Sequence, residues 1–574
     1  MSYRTCATSA FRTRLGTPAV LINPRPASAS VVSPVRMGRD GGPGPYPASS
    51  IKADKTEEKY YVHIPLASAH GGLVTQRPGI PSDILRFFRN PGGHSMIAKG
   101  SAGTGKTTFA LQLTEELGEV TASHYLSSRV SDESLYNQFK WLRERLKPAV
   151  IQTGPKAPRA ESKVARDALD QLTGKMEAGE ESGEEARPGS GGASVKGDIF
   201  EIPIGEDLPE VEDAYKFVDD RMPKRSLILI DSIDALAEHY GIAASRLINV
   251  FQKDLVEGSK QNVLYVLEGS GETRLDYLGD GVVNLSASEH EGRRLRVMTI
   301  EKLRGQQVRQ HKYLYTLDAG RLTAFTLAEK ERRPHPKPWK PLGDPSKDDV
   351  STGLAALDYL VGGFARGRVI AFEISNLVSV DTVDWLRTSM VCNFVAQGRG
   401  VAHVPPRKGS GEYLAELVSP HLPAGSFESH VRVFETTTLG GGIEESRNVM
   451  HMEGNKVDSD LKWSNVEYQL SRSERPFLAL MAFDTLESVY GDKVLEQMSG
   501  VLQAVRRAHD VFVGFVTPGS PSAAKLANLA SNVFHIESLN GSVVLYGEKP
   551  YTELFNLSWD WSSGVPEARL RPIV

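Results

Sequence analysis

Residues Gly100-Ser101-Ala102-Gly103-Thr104-Gly105-Lys106-Thr107 fit the spacing G-x-x-x-x-G-K-[ST] at every fixed position. Glycines let such a segment wrap so that its backbone N–H groups point inward at phosphate oxygens. Lys106 adds a positive charge for the β- and γ-phosphates, and the Thr107 hydroxyl is a ligand for Mg2+. Thr108 completes the ATP-binding stretch Gly100–Thr108. A metal held by one hydroxyl also needs a carboxylate at the tip of another strand. The run Ser226-Leu-Ile-Leu-Ile-Asp231 supplies one, because it is apolar and ends in an acid. Turnover would further need a group to polarise water. Glu268, after the apolar run Val263–Leu267, is the candidate base, with Asp132 and Glu133 as others. Lys106, Asp231 and Glu268 are therefore the expected catalytic set, with Thr107 and Asp231 on the metal and ATP and Mg2+ as the cofactors.

These residues need a strand before the loop and a helix after it. The helix then aims its positive N-terminal end at the same anion. Ser95–Lys99 reads as that strand, and Thr107–Leu117 fits helical spacing through Leu111, Leu113 and Leu117. Leu227–Ile230, Val263–Leu267 and Arg296–Ile300 read as further strands, and Ser134–Lys147 and Ser245–Gly258 as helices. Strands alternating with helices predict an α/β fold with a mainly parallel sheet covered on both faces. The order recurs downstream: strand Val369–Ile374, helix Val383–Ala396, strand Phe477–Phe483, helix Val489–Ala508 and strand Val511–Val516.

Composition sets the bounds. With 574 residues, two or three domains are expected. Lys and Arg number 67 against 71 Asp and Glu, a net −4 that gives no support to wholesale nucleic-acid binding. The only cysteines are Cys6 and Cys392, too few for a disulfide framework or a thiolate-rich metal site. Apolar runs are strand-sized, so no membrane span is expected and the reading is a cytoplasmic, reduced-compartment protein. Residues 1–55 are read as a disordered tail, since its first forty positions hold many Arg, Ser and Pro before the first acid, Asp40. The same acid-poor start is also compatible with an organelle transit peptide. About 154–196 is an acidic, Gly- and Ser-rich insert within a first domain at 56–328. Residues 329–350 are a basic, proline-rich linker, and 351–574 form the second domain.

The order of loop, Asp-ending strand and then Arg296-Val-Met-Thr-Ile-Glu-Lys302-Leu303-Arg304-Gly305 resembles the RecA/RadA superfamily, and within it the KaiC-like ATPases. The second half opens with Ser351-Thr-Gly-Leu-Ala-Ala-Leu-Asp358-Tyr-Leu-Val-Gly-Gly-Phe-Ala-Arg-Gly367, which is similar to the opening of a KaiC-like domain. The resemblance implies two tandem RecA-like domains. It also implies that Lys302 and Arg304 reach across a subunit boundary to a neighbour's γ-phosphate, hence a homo-oligomer. Tandem organisation, length and basic linker most resemble the archaeal branch that includes the gas-vesicle regulator GvpD. That branch implies a nucleotide switch acting through a regulatory protein partner.

Two departures qualify the expectation. Where a second phosphate loop would fall, Phe372-Glu-Ile-Ser-Asn-Leu-Val-Ser-Val-Asp381 has neither glycine nor lysine. Its carboxylates Glu373 and Asp381 would repel phosphate. The second domain should therefore carry a degenerate loop, with Asp484 serving no nucleotide. In the first domain, Ser127 and Ser128 stand where the resemblance implies glutamates, and a hydroxyl is a poor general base. Slow hydrolysis follows. The basic clusters Arg293, Arg294, Arg296 and Lys330, Arg332, Arg333, Lys337, Lys340 leave a DNA-acting ATPase as the alternative, or an acidic protein as partner. A scaffold with structural ATP is a second alternative.

Overall fold

The computed structural model describes residues 79–118, 122–127, 132–145, 209–271, 273–327, 335–436 and 448–574. The expectations for the tail, the acidic insert and residues 329–334 of the linker fall outside them.

Two α/β sheets of the same design follow one another. The first contains β1 Ser95–Gly100, β2 Ala122–Ser127, β3 Ser226–Asp231, β4 Asn262–Glu268, β5 Gly281–His290, β6 Arg293–Leu303, β7 Lys312–Thr316 and β8 Thr323–Phe325, in the spatial order β2-β3-β4-β1-β5-β6-β7-β8. The strands from β2 to β5 run parallel, and β6 to β8 add antiparallel at one edge. A short pair, β9 Asp349–Val350 and β10 Phe364–Ala365, precedes the second sheet.

The second sheet contains β11 Val369–Ile374, β12 Arg399–Val404, β13 Val431–Thr436, β14 Val449–Met452, β15 Glu474–Ala482, β16 Val511–Val516, β17 Asn532–Leu539, β18 Ser542–Lys549, β19 Phe555–Asp560 and β20 Glu567–Pro572. Its order is β14-β13-β12-β15-β16-β11-β17-β18-β19-β20. Apart from β13 and β14, this repeats the first sheet strand for strand, with β11 in the place of β1.

Alternation along the strands explains why both faces are covered. In the first sheet Met96, Ala98, Leu227, Leu229, Leu264 and Val266 enter one core, and Ile97, Ile228, Ile230, Val263 and Tyr265 the other. In the second, Ile370, Phe372, Leu478 and Leu480 face one core, and Val369, Ala371, Ala479 and Met481 the opposite one. A period of two with apolar residues on both sides is what a strand buried between helices requires.

A fifth cluster joins the sheets: Leu314 of β7 packs with Val544 and Tyr546 of β18, Leu554 and Ile573. Both sheets belong to one packed unit, Thr75–Val574. No helix among the described residues is long and apolar enough to cross a membrane.

Some expected elements differ in detail. The helix expected over Val489–Ala508 is instead three pieces, Phe483–Tyr490, Val494–Gln497 and Ser499–Arg507. Gly491, at φ +81°, ends the first of them in a backbone region that glycine enters freely. The expected helix Ser134–Lys147 is likewise interrupted, between Gln138 and Lys140. The opening motif of the second half has a structural use. The half-buried Asp358 carboxylate accepts from Ser351 Oγ and, at 2.7 Å, from Thr352 N, tying the turn back on itself.

Candidate phosphate-binding site

The loop leaves β1 at Gly100 and enters the helix Lys106–Leu117. Gly100 must be glycine, because a Cβ there would lie 2.3 Å from the Leu285 carbonyl oxygen. Gly105 sits at φ +90° against the Leu317 side chain. Lys106 Nζ folds back over the loop and donates to the carbonyl oxygens of Gly100 at 2.7 Å and Ser101 at 3.0 Å. Thr104 Oγ1 donates to Ser101 O at 2.8 Å. Behind the loop, the buried Lys99 pairs with Asp276 at 2.7 Å and Glu301 at 2.9 Å. Burial opposes the Lys99 charge, but the hydrogen bonds to these two carboxylates outweigh it and raise its pKa.

The described structure brings Thr107 and Asp231 together: Thr107 Oγ1 donates to Asp231 Oδ2 at 2.7 Å. Asp231 ends β3, two strands from β1, and the parallel register carries its carboxylate to the loop end of the sheet. The same Oδ2 accepts from Tyr125 Oη at 2.7 Å. Burial, followed by the Asp231 charge, pushes the Tyr125 phenol well above its ordinary pKa, so it stays a donor. A hydroxyl and a carboxylate side by side at the helix start suit a hard divalent cation that keeps most of its waters.

Glu268, at the exposed end of β4, is directly in register with Gly100, and its N–H donates to Asp234 Oδ2 at 2.7 Å. It lies beside the loop, as a water-polarising base would have to. Ser127 is in register with Asp231. Ser128 and Arg129 lie outside the described residues, as do the side chains of Asp132 and Glu133.

Lys302 and Arg304 do not converge with this loop within one chain. Lys302 is level with Val282, and Val282 with Ile97, three residues before the loop and about 10 Å back along the strand direction. Its Nζ donates to Gly279 O at 2.6 Å, and burial, then the Arg304 charge, lowers its pKa. Arg304 pairs with Asp280 at 2.9 Å while its side chain stays largely exposed.

The cluster Arg293, Arg294, Arg296 is corrected by the structure. Arg294 is exposed, but Arg293 and Arg296 are buried. Arg293 donates to the carbonyls of Thr552 and Gly547, both at 2.7 Å, and lies over the rings of Tyr546 and Tyr551. Arg296 Nη1 donates to Gly103 O at 2.9 Å, on the phosphate loop itself. Neither guanidinium is available to DNA. In the linker, Trp339 packs on the second sheet's core and donates to Asn393 Oδ1 at 3.3 Å, so this part is docked.

Sequence reasoning missed Tyr125 and Tyr315, and read Arg296 only as part of a basic cluster. Tyr315 Oη donates to Thr104 O at 2.7 Å. Each depends on strand register across a long separation, for which the sequence carries no local signal.

In the second sheet the loop 375–379 has the same length as 101–105. It is closed by its own bonds, with Val378 N on Ser375 O at 3.0 Å and Ser379 Oγ capping Thr382 N at 3.3 Å. Glu373 lies 3.8 Å from His535 Nδ1, Asp381 occupies the first turn of the following helix, and Leu377 is 78% exposed. Asp484 Oδ2 accepts from Arg407 N at 3.1 Å.

Residues 84–301 match the family described as GvpD gas vesicle protein, P-loop domain, and residues 338–452 match GvpD basic region 2. Among curated proteins, GvpD2 of Halobacterium salinarum is 26% identical over 521 residues, covering 86% of this chain and 96% of that protein. GvpD1 of the same organism is 22% identical over 563 residues, with 86% and 96% covered. The chain is thus similar to the GvpD proteins along most of its length, including both matched segments.

Proposed function

We propose, from this similarity and the loop geometry, that the chain is a cytoplasmic nucleotide-dependent regulator of gas vesicle formation. In this reading it binds ATP and Mg2+ in its first half and acts through a protein partner. The observation that carries the reading is the loop Gly100–Thr108 with the Thr107 hydroxyl set on Asp231. Lys106, now on the loop's own carbonyls, would exchange them for phosphate oxygens. The loop amides and the start of the helix Lys106–Leu117 would hold the same anion. Thr107 and Asp231 would hold the metal, which when bound neutralises phosphate charge. Tyr125 keeps Asp231 oriented by donating to the oxygen that Thr107 also uses.

Slow turnover fits the site, since Glu268 is the base candidate beside the loop among the described side chains and Ser127 ends the strand next to that of Asp231. Lys302 and Arg304, at the other end of the sheet from their own loop, would face the γ-phosphate of a second copy in a homo-oligomer. A DNA-acting role is disfavoured because Arg293 and Arg296 are buried.

Calorimetric titration of the full chain with ATP, with and without Mg2+, tests the reading. Lys106→Ala should abolish binding while the circular dichroism spectrum is unchanged. Unchanged affinity in that variant would refute the loop assignment. A hydrolysis rate that rises with DNA would favour the recombinase-like alternative instead. Binding with no partner or assembly response would favour structural ATP.

A further inference from the structure

We infer that Arg296 is a positioning residue through which the second half of the chain holds the phosphate loop in its anion-binding shape. The inference rests on the reading that the loop binds a nucleotide. It concerns a side chain outside the loop.

Arg296 is buried at 5% exposure on β6. Antiparallel pairing sets it opposite Ala287, beyond Asn284, the partner of Lys99, so it stands at the loop end of the sheet. Its guanidinium is shared. Nη1 donates to Gly103 O at 2.9 Å, and Nε donates to Val574 O. Beside it, Tyr315 Oη donates to Thr104 O at 2.7 Å. In a planar trans peptide the carbonyl of one residue and the N–H of the next point in opposite directions. Tying the Gly103 and Thr104 carbonyls therefore fixes both peptide planes: the Thr104 N–H is left donating across the loop to Ser101 O at 3.4 Å, and the Gly105 N–H is turned inward, where an anion-binding concavity needs it.

The outer anchor belongs to the other half. Val574 N donates to Thr316 Oγ1 at 3.4 Å, and Ile573 N donates to Leu554 O at 2.8 Å. The buried Ile573 side chain joins the cluster of Leu314, Val544, Tyr546 and Leu554 that packs the two sheets together. Arg293, three residues earlier on β6, fixes the same strand to the Thr552 and Gly547 carbonyls. Arg296 thus spans from the seam between the halves to the loop. A guanidinium suits the task because its donors diverge in a rigid plane and reach two backbone oxygens at once; an ammonium lacks that fork.

The second half has no phosphate loop of its own, yet by this route it completes the one in the first half. Displacing Ile573 and Val574, as by a partner docking on that seam, would release the Gly103 carbonyl and lower nucleotide affinity. Conversely, nucleotide binding would stiffen the seam, as reciprocal coupling demands.

The test uses full-length Arg296→Gln, Tyr315→Phe and Ile573→Ala, each checked by thermal melting. Two readouts are taken: the affinity for Mg-ATP, and hydrogen exchange of peptides covering 100–106 without nucleotide. Arg296→Gln should weaken binding about tenfold or more, the scale of one lost charge-assisted hydrogen bond, and speed exchange in that peptide. Tyr315→Phe, which deletes one oxygen, and Ile573→Ala, which touches only the seam, should shift both readouts the same way by several-fold. Wild-type affinity and wild-type exchange in Arg296→Gln, or no response to Ile573→Ala, would overturn the inference. If the unsubstituted chain binds no nucleotide, the functional reading falls and the exchange data alone judge the brace.

Discussion

The loops 101–105 and 375–379 join corresponding strands and helices of two sheets with one topology, and they have equal length. Their chemistry is opposite. The first uses glycines at φ values a side chain would strain, a lysine over its rim, and a helix start with no acid in its first turn. The second has neither glycine nor lysine. It caps its helix with Ser379, places Asp381 in the first turn and presents Leu377 to solvent. A carboxylate there already satisfies the positive helix end that would otherwise attract phosphate. The strand–loop–helix frame is thus maintained by core packing, and anion binding is a separate property of five loop residues and what surrounds them.

The contrast can be broken most forcefully at Gly100. Gly100→Ala drives a Cβ into the Leu285 carbonyl, and the melting curve should show a loss of about 3 kcal/mol or more. Ser375→Ala, at the start of the other loop, should cost far less, because only local turn bonds are lost. Asp231→Asn comes next. It should weaken ATP binding about tenfold in Mg2+ and little in EDTA, whereas Asp484→Asn should alter neither. Equal effects at the two aspartates would erase the distinction between the halves.

A pH titration of stability should then treat the halves alike. Burial lowers the pKa of His124 on β2 to about 4 and of His403 on β12 to about 3. A histidine whose folded pKa is depressed takes its proton first in the unfolded chain, so stability falls as pH drops below about 6.5. From pH 6.5 to 5 each should cost about 1.5 kcal/mol. His124→Leu should flatten the slope measured by chemical denaturation, and a slope unchanged in that variant would contradict its burial as a neutral ring. Smallest of all, Leu377→Ser should change stability by no more than about 0.5 kcal/mol, since the side chain is mostly in water.

What the sequence revealed divides by distance along the chain. The loop, the Asp-ending strand and the strands β1, β4, β11, β15 and β16 are local patterns of spacing and hydropathy, and the structure has strands at each, whereas β2, β5, β12, β13, β14 and β17 went unread. Tyr125 and Arg296 are not local. Tyr125 meets Asp231 across 106 positions and Arg296 meets Gly103 across 193, through register that no nearby residue announces. Arg293 and Arg296 read as a surface patch because charge normally faces solvent. A seam between two sheets, lined with carbonyl oxygens and tyrosine rings, reversed that expectation. Lys302 and Arg304 were legible as a motif, but only strand pairing revealed that they sit at the far end from their own loop.

The central claim, one nucleotide-binding loop and one that has lost the function, is tested most directly by the stoichiometry of Mg-ATP binding to the full chain. The account predicts one ATP per chain, and none in Lys106→Ala. Two per chain, or one that survives Lys106→Ala, would contradict it.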